Sequence, residues 1–194
     1  MNLRPLPAAF FARDATSVAR DCLGRLLVSE IGGERCVVRI VEVEAYTGPR
    51  DPASHAAAGH RSPRNEVMYG PPGLAYVYFT YGMHWCVNVV TGREGYPSAV
   101  LLRAAEPLEG LTVMRGRRSG APDRLLTAGP ARLTAALGIS REQNGHDLRR
   151  PPLWLAAGTP LPTWRRGRSV RIGISVGQER QLRFFERGNP WVSR

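Results

Sequence analysis

Glu42, Glu44, Tyr46 and His55 fall close together where an apolar run, residues 37–46, gives way to Thr-Gly-Pro-Arg-Asp-Pro-Ala-Ser-His. A carboxylate can activate water, an imidazole can move a proton, and aromatic rings can hold a flat ligand. Val37, Val38, Ile40, Val41 and Val43 are β-branched, as a buried strand prefers. Side chains alternate along a strand, so Glu42, Glu44 and Tyr46 share one face and apolar residues the other. Gly48, Pro49 and Pro52 forbid both helix and ladder, so the chain must leave the sheet as a rigid loop. Glu44 is nearer that loop, on a stiff element where reactive side chains are commonly mounted. Glu42 is its rival, and a solvated edge-strand acid is the plainer reading of either.

Other residues extend the set. Arg103 is embedded among Val100, Leu101, Leu102 and Ala104. Arginine is rarely buried unpaired, so a carboxylate or a phosphate is expected within its reach. Residues 75–81 and 84–90 read as an aromatic hairpin with a glycine at its tip, and Tyr81 beside that glycine is expected to project. An exposed tyrosine on a basic protein suits stacking or wedging into nucleic acid. Arg61, Arg64 and Asn65, in the polar loop 56–72, suit phosphate contact, with a merely solvated loop as the alternative.

Composition narrows the chemistry. The 194 residues fit one compact domain, and a net charge of +11 points to a polyanionic partner, most plainly nucleic acid. All 27 basic residues are arginine, so no side-chain amine exists to form a Schiff base. Cys22, Cys36 and Cys86 form no Cys-x-x-Cys pair and read as buried thiols in a reducing compartment. The four histidines lack zinc-site spacing, so no metal and no cofactor is expected. No apolar run reaches membrane-spanning length and the N-terminus lacks a signal-peptide core, so the expectation is a soluble cytoplasmic protein.

The elements that must position these groups follow in order. Asp14 or Thr16 caps a short helix that Gly24 stops, and a strand over 25–31 turns at Gly32-Gly33 into the acid-bearing strand. A strand over 98–105 is followed by a helix opening at Glu106-Pro107 and running to about Gly116, and a second helix runs from Gly129-Pro130 to Leu137. Residues 143–152 read as a polar excursion. Short strands are expected at 153–156, 170–176 and 182–186. Together these elements predict a single α+β domain spanning 1–194.

Several irregular motifs recur in one order: Arg-Ile-Val-Glu-Val-Glu-Ala-Tyr-x-Gly-Pro-x-Asp-x-Ala-x-His from Arg39 and Pro-Arg-Asn at Pro63 come first. Then follow Tyr-Val-Tyr-x-x-Tyr-Gly-Met-x-x-Cys-x-Asn from Tyr76, Leu-Leu-Arg-Ala-x-Glu-Pro-Leu-Glu-Gly from Leu101 and a closing Pro-Trp-Val-Ser. Together they resemble the alkyladenine (3-methyladenine) DNA glycosylase family over nearly the whole chain. The resemblance implies a curved antiparallel sheet flanked by short helices, with a protruding DNA-inserting β-hairpin. It implies base-excision repair of duplex DNA: an alkylated or deaminated purine is flipped out and its glycosidic bond hydrolysed, with no lyase step. Glu44 would activate the water, and Arg103 would hold that water or the adjoining phosphate. Tyr46 and His55 would stack on one face of the base and Tyr78 on the other. Main-chain groups of Ala53 and His55 would read its edge, Asn88 would disfavour guanine's amino group, and Tyr81 would replace the extruded nucleotide. Glu42 would be structural.

The implied partner is double-stranded DNA carrying damaged purines, met by a monomer with no membrane contact and no obligate protein partner. For Tyr78 and Asn88 to share one pocket, a register placing them opposite each other is expected, with a three-residue loop Gly82-Met83-His84 or a bulge. His84 and the segment 143–152 depart from the family pattern. A noncatalytic nucleic-acid-binding protein on the same scaffold is the alternative.

Overall fold

The computed structural model describes residues 3–193. Two short helices open it, α1 (Ala8–Phe11) and α2 (Ala15–Cys22). Asp14 caps α2 by accepting from the Ser17 N–H, and the chain turns away at Gly24, φ 84°. A Cβ on Gly24 would stand 2.2 Å from the Thr159 carbonyl oxygen, so only glycine fits there. Strands β1 (Leu26–Ser29) and β2 (Cys36–Tyr46) pair antiparallel. They are joined by residues 30–35, not by a tight Gly32-Gly33 turn as expected. The Glu30 N–H is drawn to the Pro152 carbonyl and that of Ile31 to Ser29 Oγ, which takes the chain off the ladder early.

The strands β3 (Ala75–Thr80), β4 (His84–Thr91) and β5 (Ser98–Glu109) extend the sheet on the other side of β2. After α3 (Leu111–Arg117) and α4 (Pro130–Leu137) come β6 (Arg149–Arg150), β7 (Leu153–Ala156), β8 (Arg166–Ser169) and β9 (Arg183–Glu186). The order is β3-β4-β5-β2-β1-β7-β6, with β9 added on β2 and β8 on β9, and every pairing is antiparallel. This curled, half-barrel sheet with its four helices makes a single α+β domain.

β2 changes partner along its length. Its first half pairs with β1, and Glu42–Glu44 pair with β9. The ladder to β5 is irregular at the same place, and Val41 and Arg103 have no partner across it. Such a bulge re-aims side chains, and here it falls on the strand arginine that the sequence singles out.

The sheet has two differently covered faces. Val38, Ile40, Val43, Ala45, Val77, Val89 and Leu102 point into the main core with residues of α2 and α4. The opposite face carries Tyr76, Val90 and Ala99, packed against Ala56 and Met68 from the loop after β2.

Three further expectations change. Residues 106–109 continue β5 rather than opening a helix; Pro107 is tolerated beside a bulge at the strand's irregular end. Residues 170–176 form no strand; β8 ends at Ser169, and the Ile172 N–H is spent on Glu44 instead of a ladder. The β3–β4 hairpin has a three-residue loop, but it is Tyr81-Gly82-Met83. Tyr78 therefore faces Cys86 and Asn88 faces Tyr76, two residues off the expected register. Parity survives that shift, so Tyr76, Tyr78, Cys86 and Asn88 still share one face.

Candidate active site

Alternate residues of four strands meet on the loop-covered face. Tyr46 of β2, Tyr76 and Tyr78 of β3, Cys86 and Asn88 of β4, and Leu101 and Arg103 of β5 line a cavity of about 500 Å³. Its rim comes from irregular chain: Ala53, His55 and Arg64 on one side, residues 172–176 on the other. That volume suits one flat heterocycle with part of its attachment.

Glu44 does not itself line this cavity; fully buried, it touches three residues that do, Tyr46, Arg103 and Ile172. Its Oε1 accepts from the Ile172 N–H at 2.8 Å and stands 3.3 Å from Arg103 Nη1; its Oε2 accepts from the Tyr46 hydroxyl at 3.0 Å. Burial raises its pKa, against the opposing pull of Arg103, the Ile172 N–H and the Tyr46 hydroxyl. A carboxylate so placed holds a proton more readily than a surface one. The Tyr46 hydroxyl is pushed up as well, by burial and by Glu44, so it stays a donor.

Glu42 is buried too, but every contact ties it to the scaffold. It accepts from Arg103 Nε (3.2 Å), Arg183 Nε (2.6 Å), Ser193 N (2.6 Å) and Ser193 Oγ (2.9 Å). The two acids thereby differ: Glu42 accepts four hydrogen bonds, whereas Glu44 accepts two and keeps lone-pair capacity on Oε2 beside the cavity-lining Tyr46. Neither is a solvated edge acid. Arg103, 7% exposed, finds carboxylates within reach, as its burial demanded.

The aromatic walls differ from expectation. His55 and Tyr78 touch edge to face with centroids 4.5 Å apart, so a base cannot lie between them, and they form one wall rather than two. His55 Nδ1 also meets the Tyr76 hydroxyl at 2.7 Å. Burial and the charge of Arg64 hold His55 below its ordinary pKa, which keeps the imidazole neutral near pH 7. Asn88 Nδ2 donates to the Tyr76 carbonyl. Tyr81 stands clear of the body at 81% exposure, with φ of 51°.

The expected phosphate-contacting trio divides. Asn65 is buried and clamps the loop: its Oδ1 accepts from Ser62 N, and its Nδ2 donates to the carbonyls of His55 and His60. It cannot also reach a phosphate, a correction that follows from its full set of bonds. Arg61 remains on the surface, paired with Glu66. Arg64 lines the cavity, its Nη2 donating to the Phe79 carbonyl.

Sequence reasoning missed Arg171 and Asp51. Arg171 is buried, bidentate to Asp51 at 2.6 and 2.7 Å, and bonded to the Ala45 carbonyl at 3.0 Å. Its guanidinium lies 4.7 Å from the Tyr46 ring centroid, and the next residue's N–H holds Glu44. The signal was present. Arg171 stands between Val170 and Ile172, as Arg103 stands among aliphatics.

Residues 9–190 match the family described as Methylpurine-DNA glycosylase (MPG). The chain belongs to that family. It is 47% identical over 190 residues to a protein of Carboxydothermus hydrogenoformans named "Putative 3-methyladenine DNA glycosylase", covering 97% of this chain and 98% of the relative. Relatives bearing the same name in Myxococcus xanthus and Streptomyces avermitilis are 52% and 48% identical, covering 87% and 97% of this chain and 81% and 91% of theirs. Membership of the methylpurine-DNA glycosylases makes the chain a DNA glycosylase, a hydrolase of base-excision repair acting on DNA. No helix among the described residues is long and apolar enough to cross a membrane.

Proposed function

We propose that the protein excises alkylated and deaminated purines from duplex DNA: 3-methyladenine, 7-methylguanine, ethenoadenine and hypoxanthine. It does so by hydrolysis alone, as a monomer. The observation that carries this reading is Glu44: a buried carboxylate against the lining of an aromatic cavity, oriented by Ile172 N–H, Tyr46 hydroxyl and Arg103. Its unused lone pair on Oε2 accepts a proton from a water, whose oxygen attacks the sugar C1′. The glycosidic bond breaks toward the base. A base alkylated at N3 or N7 is cationic and leaves neutral; hypoxanthine must gain a proton as it leaves and is slower.

The extruded base stacks between Tyr46 and the joined His55–Tyr78 wall. Main-chain groups of Ala53 and His55 meet its edge, and Asn88 opposes a 2-amino group. Tyr81 fills the gap left in the duplex, and surface arginines such as Arg61 meet the flanking phosphates. The absence of lysine in the sequence supports hydrolysis without a lyase step.

Single-turnover excision from duplexes carrying one defined lesion, with alkaline cleavage of abasic sites, tests this directly. Glu44→Gln should retain lesion binding and lose about 10²- to 10⁴-fold in the excision rate. A variant as active as wild type would remove Glu44 from the mechanism. No release from any lesion by wild type would make the protein a binding module.

A further inference from the structure

Two guanidinium groups line the cavity and a third backs its Tyr46 wall, and they differ in how their charge is met. Arg103 at the floor faces Glu42 and Glu44, and Arg171 behind Tyr46 is clasped by Asp51. Arg64 stands at the mouth, and among the described residues no carboxylate lies within ion-pair distance of it. Its place is nonetheless defined: Nη2 donates to the Phe79 carbonyl at 3.1 Å, and its guanidinium carbon lies 5.5 Å from the Tyr78 ring centroid.

The neighbours register that charge. Arg64 adds to burial in holding His55 low, and it opposes the burial that pushes Tyr76 up to about 12. A partly exposed cation that polarises both groups must also act on a ligand seated against them.

We infer that Arg64 is a specificity-determining residue that penalises cationic bases in the cavity and so tilts excision toward neutral lesions. The inference rests on the base-excision reading above. Electron-rich rings attract a cationic purine, and by that rule Tyr46, Tyr78 and His55 would favour alkylated bases. An uncompensated guanidinium against Tyr78 opposes this twice. It repels the second cation directly, and it draws on the same π-system the base would use. A neutral purine suffers neither effect. The discrimination is by charge rather than shape, so it separates lesions of similar size.

The test compares single-turnover excision of 7-methylguanine, a cation, and hypoxanthine, which is neutral, from otherwise identical duplexes near neutral pH. Wild type, Arg64→Gln and Arg64→Lys are run together, with thermal midpoints to verify folding; Arg64 is exposed, so both variants should fold. The rate ratio of 7-methylguanine to hypoxanthine should rise about three- to tenfold in Arg64→Gln, the size expected of one partly screened charge, and return to within about twofold of wild type in Arg64→Lys. An unchanged ratio in Arg64→Gln overturns the inference. So does an equal loss on both lesions with a matching loss of affinity for undamaged DNA, which would make Arg64 a phosphate contact. If wild type excises neither lesion, the excision reading itself fails, and that result is distinct from an active enzyme with an unchanged ratio.

Discussion

Glu44 and Asp51 are both fully buried, yet their surroundings displace them in opposite directions. For Glu44 burial wins and the pKa rises above its ordinary 4.5. Its contribution to stability is complete below that value and is lost as pH climbs through the folded-state pKa. Glu44→Gln removes the effect, so the variant's Tm should gain on wild type as pH rises through that range, measured by calorimetry across a pH series. Asp51 is also penalised by burial, but Arg171 and the N–H groups of Thr47 and Ala53 outweigh this and lower its pKa below 3.8. Its contribution is present above 3.8 and vanishes as pH falls through the folded value. Arg171→Met strands that carboxylate and should cost about 3–5 kcal/mol in urea denaturation at neutral pH. Because Arg171 also backs Tyr46, the same variant should weaken lesion binding. An Arg171→Met protein as stable as wild type would deny the pair its structural part.

At the scale of elements, part of the cavity was legible because strands alternate. Alternation puts Glu44 with Tyr46 and Tyr76 with Tyr78; that Asn88 and Arg103 join them is what the resemblance implied, and a two-residue error in hairpin register leaves Tyr78 and Asn88 on one face. Segment 170–176 was not legible. Its apolar spacing reads as a strand, and only the three-dimensional demand of a buried Glu44 explains why its N–H serves a carboxylate. The bulge at Arg103 was equally hidden, since nothing local marks where β2 exchanges β1 for β9. The β3–β4 tip allows a sharper test. Tyr81 holds a left-handed backbone that side chains resist, so Tyr81→Gly should match or exceed wild-type stability by about 1 kcal/mol. Its excision should fall on duplex DNA and fall much less on the same lesion in a single strand, where no gap needs filling. Equal defects on both substrates would argue against a wedge.

For the whole molecule, the net charge of +11 was the plainest reading, and it belongs to binding rather than chemistry. Affinity for undamaged duplex should drop by about a thousandfold between roughly 50 and 200 mM salt if some six phosphates are neutralised, measured by anisotropy titration. On the mechanism proposed above, catalysis depends instead on contacts far apart in the chain: Glu44 to Ile172 spans 128 residues, Asp51 to Arg171 120, and Glu42 to Arg183 141. Links of such sequence separation carry a large closure entropy and form late when a chain refolds. Charge, by contrast, is present in every collapsed form. A refolding population should therefore pass through species that already grip DNA while still unable to cut a glycosidic bond, so that kinetically the grip precedes the chemistry.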